Sequence, residues 1–147
     1  MILVLVGVLM AVPPSVSQLD GAGRHERIGP LFRQALWVAL ALGVLLFVLV
    51  SLSGPLLAAM GIAADVQPAA RDFLGAIRWG APALALFFCA RYLSEGLAWT
   101  LPTMVAGLLG VAVLFPLGHA LMSGDGPLPA LGAAGLGYAT TLVLWLQ

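Results

Sequence analysis

Long apolar stretches alternate along this chain with short passages that collect nearly all of its charges. A helix needs about 20 residues to cross the hydrocarbon core of a bilayer, and the apolar stretches are close to that length. The first covers residues 1–19, with Pro13 and Pro14 interrupting its end, and reads as the later part of a helix whose beginning is missing. The second covers 28–52, uncharged from Ala35 onward, and stops at Ser53-Gly54-Pro55. Residues 56–68 are apolar but broken by Gly61 and Asp65, which predicts a connector resting at the interface. The remaining spans are predicted at 73–96, 101–122 and 128–147. The pattern gives an all-α integral membrane protein with five transmembrane helices, forming one unit over 1–147.

The polar passages set the orientation. The densest is Ser17-Gln18-Leu19-Asp20-Gly21-Ala22-Gly23-Arg24-His25-Glu26-Arg27, where Gly21 and Gly23 make a tight reversal easy. If the spans alternate, this loop and the one after Arg91 lie on the same side. Together with their helix ends they hold Arg24, Arg27, Arg33 and Arg91, against Arg71 on the opposite side. The excess of arginine predicts that both loops are cytoplasmic.

Composition narrows the class. Hydrophobic residues make up 62% of the chain and charged residues 8%, with a mean hydropathy of +1.10. A water-soluble domain carries about a quarter charged residues, so most of this surface is built to face lipid. The formal net charge is zero, so no basic field invites nucleic acid. Cys89 is the single cysteine, which excludes a disulfide within the chain, and with only two histidines a zinc site lacks ligands. No metal or organic cofactor is expected. No span pairs a nucleophile with a base, so an enzyme is not expected. The apolar start lacks a basic leader and a small-residue cleavage site, and so reads as part of a span rather than as a signal peptide.

Small residues recur every four positions on successive spans: Ala35, Ala39 and Gly43; Ala81, Ala85 and Cys89; Ala106 and Gly110; Ala133, Gly137 and Thr141. Such stripes let helix backbones approach closely, which predicts a packed bundle. Pro82 and Pro116 lie within spans and should bend them, each leaving a carbonyl without its usual donor.

These residues resemble the multidrug and toxic compound extrusion (MATE) family of cation-coupled efflux transporters. Gln18-Leu19-Asp20-Gly21-Ala22-Gly23-Arg24 is similar to the loop between that family's second and third helices, continued by Arg33-Gln34-Ala35-Leu36. Ala90-Arg91-Tyr92-Leu93-Ser94-Glu95-Gly96-Leu97, Pro102-Thr103-Met104-Val105 and Leu131 to Thr140 follow in the family's order. The resemblance implies part of a six-helix transporter lobe, from within helix two to helix six. The remaining helices of the full-length transporter would be its partners. It further implies a bacterial cytoplasmic (inner) membrane protein that exports amphipathic or cationic compounds in exchange for protons or sodium. Leu114 and Gly118 flank Pro116 where many members carry asparagine, which speaks against a first-lobe cation site of the usual kind.

Each candidate residue has a plain reading beside a functional one. Glu95 is either half of an interfacial ion pair with Arg91 or a titratable group at the inner end of a cavity. Arg78, about 9 Å into its predicted span, either snorkels to the headgroups or contacts substrate inside the bundle. Phe87, Phe88 and Phe115 line an apolar drug cavity or face lipid. Gln34 is a polar group at a helix start, Pro116 a kink, and His119 a helix-end imidazole or a proton sensor. Two other functions remain open: a lipid or lipid-linked oligosaccharide flippase of the same superfamily, and a non-transporting bundle or truncated remnant.

Overall fold

The computed structural model describes residues 2–54, 66–124 and 130–147. Seven α-helices are described: α1 (Ile2–Leu9), α2 (Val12–Gly21), α3 (Ile28–Ser51), α4 (Gln67–Ile77), α5 (Ala81–Gly96), α6 (Leu101–Ser123) and α7 (Gly132–Leu146). Single 3-10 turns at His25–Arg27 and Arg78–Gly80 lead into α3 and join α4 to α5. The stretches Ile2–Gly21, His25–Ser51, Gln67–Gly96 and Leu101–Ser123 are each long and apolar enough to cross a membrane, and α7 is a shorter apolar helix. Most of the expected connector over 56–68, and the first residues of the expected fifth span, lie outside the described residues.

The expected boundaries hold closely for α3 and α6 and shift elsewhere. The first span is two helices, interrupted at Met10 and Ala11 rather than at its end. Pro13 and Pro14 cannot donate to the carbonyls four residues back, so the break falls just before them and they open the first turn of α2. Ser15 Oγ donates to the Ala11 carbonyl at 2.7 Å, satisfying backbone at that break. The third span starts at Gln67 rather than near Phe73. Its polar first turns read as loop by hydropathy, yet alanine and arginine favour helix there.

Pro82 does not leave an orphan carbonyl as expected. The chain tightens into the 3-10 turn, and the Ala81 N–H donates to the Arg78 carbonyl in place of the missing donor. Gly21 likewise differs from expectation: it ends α2 in ordinary helical geometry, and only Gly23, at φ +67°, uses the left-handed region.

Close approaches at small residues fix the packing. A Cβ added to Gly43 would sit 2.9 Å from Pro82 Cα and 3.1 Å from Ala85 Cβ, so α3 and α5 touch backbone to backbone. Gly96 meets α2, where a Cβ would lie 2.6 Å from Val16 Cβ. That contact joins the last residue of α5 to the first half of α2, in the later part of the first span, Ile2–Gly21. The Arg24 turn and the turn at residues 97–100 therefore share one end of the bundle.

The last helix is held on two sides. Gly135 abuts the Leu121 carbonyl and Val143 lies against Gly110, so α7 runs antiparallel to α6. Gly137 meets Ala76 and the Phe73 carbonyl, while Thr141 and Leu144 meet Gly80, so α7 runs parallel to α4. Because two faces are used, Gly135, Gly137, Ala139, Thr141 and Val143 are all buried. The outer surface carries large apolar side chains such as Trp37, Val44 and Val48, as a lipid-facing surface requires.

Candidate functional site

A groove of about 730 Å³ runs between α5 and α6. From α5 it is lined by Phe87, Arg91 and Glu95, which succeed one another every four residues and so share one face. From the other side come Thr100, Thr103, Met104, Gly107, Leu108 and Val111, with Gln147 at one edge. Thr103, Gly107 and Val111 repeat the same spacing on α6. Gly107 has no atom within 4 Å of where a Cβ would stand, so open space lies in front of it.

The polar groups lie together toward the shared end of the bundle. Arg91 Nε donates to Glu95 Oε1 at 2.8 Å, one turn apart, with the two side chains 48% and 34% exposed. An exposed pair of this kind contributes only a few tenths of a kcal/mol, so it is not what holds α5 in place. Thr103 Oγ1 donates back to the Thr100 carbonyl at 2.9 Å. The result is a trough with a carboxylate at one end and hydrocarbon along its walls. The lining combines one ion pair, two threonines and a broad apolar wall.

The structure does not bring the other candidates to this groove. Phe115 lies with Leu114, Gly118, His119, Met122 and Leu136 around a separate hollow of about 370 Å³. Gly118 faces α7, where a Cβ would be 3.3 Å from Leu136 Cδ1, so position 118 is a packing position. Pro116 is exposed within an uninterrupted α6. Gln34 edges a hollow of about 180 Å³ between α2 and α3. Arg78 sits at the α4–α5 break against Phe47 and Trp79. Phe88 turns from the groove into the core, with its ring centroid 6.2 Å from that of Phe87 in an edge contact and 5.9 Å from that of Tyr92.

The glycine-rich loop is a compact turn. Ala22 N–H donates to the Gln18 carbonyl at 3.1 Å, Gly23 N–H to the Asp20 carbonyl at 2.9 Å and Arg24 N–H to the Leu19 carbonyl at 2.9 Å. His25 Nδ1 lies 3.1 Å from Asp20 Oδ1 across it. Asp20 and Gly23 thus shape the reversal, and Arg24 projects from it exposed.

Sequence reasoning missed Thr103 and Gly107 in the groove and Trp145 on α7, and it read Thr141 only as a small packing residue, not as a donor to Ala76. The Thr103–Gly107–Val111 spacing was a readable signal, since it marks a second small-residue face on α6. Trp145 carried none, because its partner depends on the register of two helices far apart in sequence.

The sequence profile of the MatE family matches residues 1–119. The chain is 54% identical over 145 residues, 99% of its length, to the probable multidrug resistance protein NorM of Xanthomonas campestris pv. campestris. It is 48% identical over 145 residues to the protein of the same description in Xylella fastidiosa strain 9a5c, again across 99% of the chain. To multidrug resistance protein MdtK of Klebsiella pneumoniae it is 40% identical over 142 residues, 96% of the chain. These matches cover 31–32% of the relatives, so the chain spans about a third of their length. On the profile match, which extends through α1 to α5 and most of α6, the chain belongs to the MatE family of membrane transporters.

Proposed function

We propose that this chain forms part of the first lobe of a secondary active multidrug exporter in the bacterial cytoplasmic membrane. The exporter moves amphipathic or cationic compounds outward in exchange for protons or sodium, and its other helices complete the cavity. The observation that carries the reading is the α5–α6 groove, in which the Arg91–Glu95 ion pair lies beside an apolar wall of Phe87, Met104, Leu108 and Val111. The relatives' description as multidrug resistance proteins supports the same substrate class.

Gly107 gives a direct test. It borders the groove and has open space in front of it, so a large side chain there fills the trough without moving the backbone. The experiment replaces the matching third of the Xanthomonas campestris relative with this chain and measures export of a cationic dye from cells. The parent chimera should export dye, and Gly107→Trp should cut export about ten-fold or more at equal membrane abundance. Undiminished export by Gly107→Trp would remove the groove from the transport path.

A further inference from the structure

Arg78 is a guanidinium inside a candidate membrane span, and no acid among the described residues pairs with it. Its Cζ lies 5.7 Å from the Phe47 ring centroid and 5.5 Å from that of Trp79, and the two rings are 5.0 Å apart at 62°. Its Nε is buried and has no hydrogen-bond partner. An ionisable side chain within a span normally pairs with an acid or a backbone carbonyl, because hydrocarbon offers nothing else.

Three carbonyls at the α4–α5 break each already accept one donor. The Ala76 carbonyl accepts from Thr141 Oγ1 at 3.0 Å, and the Trp79 carbonyl accepts from Trp145 Nε1 at 3.0 Å. The Arg78 carbonyl takes the Ala81 N–H. Among the described acids, Glu95 pairs with Arg91 and Asp20 lies against His25, while Glu26 and Asp72 are exposed and make no ion pair with Arg78. The rings hold the guanidinium in place through their π faces, yet a ring face cannot accept from a desolvated Nε–H as an oxyanion does.

We propose that Arg78 is a binding site for a phosphate oxyanion, supplied by an anionic phospholipid headgroup or by a soluble phosphate. Side chains on a helix lean toward its N-terminus, so Arg78 leans toward the Gln67 end of α4. Phe47, on the last turn of α3, belongs to that same end. A headgroup phosphate at that interface meets the exposed Trp79 ring and the guanidinium edge together. Arginine suits the role because its planar fork binds phosphate through paired N–H groups while its face stacks on aromatics. The site is separate from the α5–α6 groove and does not depend on the exported compound.

The test uses the 147-residue chain in phosphatidylcholine nanodiscs, with Trp37→Phe and Trp99→Phe leaving Trp79 and Trp145 as the emitters. A minority of phosphatidylglycerol with brominated acyl chains is compared with the same fraction of brominated phosphatidylcholine as a contact quencher. Brominated phosphatidylglycerol should quench about two-fold more strongly. Arg78→Gln should abolish that excess, Arg78→Lys should reduce it, and Arg71→Gln at the same end of the span should leave it intact. Excess inorganic phosphate then identifies the source: competition marks a site open to soluble phosphate, and no competition marks the lipid headgroup. If Arg78→Gln fails to fold, the partial loss in Arg78→Lys decides. Equal quenching by the two lipids, an excess that survives both Arg78 variants, or one equally lost in Arg71→Gln overturns the proposal.

Discussion

The indole N–H of Trp145 donates to the backbone carbonyl of Trp79 at 3.0 Å, tying α7 to the break between α4 and α5. Thr141, one turn earlier, donates to the Ala76 carbonyl at 3.0 Å. A 3-10 turn inside a span leaves carbonyls badly placed for intrahelical donors. These two side chains supply donors from the neighbouring helix, so the break and α7 stabilise each other.

Thr141→Val keeps the shape of a buried side chain and removes its hydrogen bond. Trp145→Phe removes the indole N–H from an exposed side chain together with part of its ring. Each should lower the unfolding free energy by about 0.6–1.5 kcal/mol, the range for interhelical hydrogen bonds in membranes. The double variant should lose more than either single one. The check is unfolding in mixed micelles with rising dodecyl sulfate, and unchanged midpoints in both variants would show that the clamp contributes nothing.

Glycines on opposite faces of the bundle should respond with opposite signs. Gly43→Ala places a methyl 2.9 Å from Pro82 Cα, and Gly96→Ala places one 2.6 Å from Val16 Cβ. Either forces helices apart and should cost about 1–3 kcal/mol. Gly7→Ala meets nothing within 4 Å and should gain about 0.5–1 kcal/mol from helix propensity alone. The same dodecyl sulfate titration reads all three, and a loss in Gly7→Ala equal to that in Gly43→Ala would contradict the packing described.

Much of this arrangement was legible in the sequence, for reasons particular residues make plain. The long apolar runs of α3 from Ala35 and of α6 from Leu101 left hydropathy little room for error over most of both helices. The stripe Ala35–Ala39–Gly43 named the face that meets Ala81, Ala85 and Cys89, because in lipid only small residues bring helices close. The start of α4 was hidden because Arg71 and Asp72 continue a helix that hydropathy ends. The stripe on α7 was only half read: Ala133, Gly137 and Thr141 mark the side toward α4, whereas Gly135 and Ala139 lie off that line. A helix wedged between two others has two faces, and a single period cannot show both. The candidate site divided similarly. Phe87 and Glu95 share a helix face that spacing reveals, but whether Phe115 or Gln34 reaches that face depends on how α6 and α3 are rotated.

Orientation follows from joining the arginine count to the contact between Gly96 and Val16. That contact sets the Arg24 turn and the end of α5 that follows Arg91 toward one end of the bundle, so both are expected on the same side of the membrane. Single cysteines replacing Ala22 and Ala98, in a Cys89→Ala background, should be protected from an impermeant thiol reagent in intact cells and labelled after permeabilisation. A cysteine replacing Asp125 should be labelled from outside. Labelling of positions 22 and 98 in intact cells, with 125 protected, would invert the assignment.

Transport itself is tested most directly in purified liposomes. The Xanthomonas campestris relative carrying this chain in place of its matching third would be reconstituted with a cationic dye. An inward proton or sodium gradient would then be imposed, and dye movement followed against a gradient-free control. The account expects export that starts with one of the two gradients, collapses when an ionophore dissipates it, and falls about ten-fold or more with Gly107→Trp. A correctly inserted chimera that moves no dye under either gradient, while the intact relative does so, would contradict the claim that this chain forms a working part of an exporter.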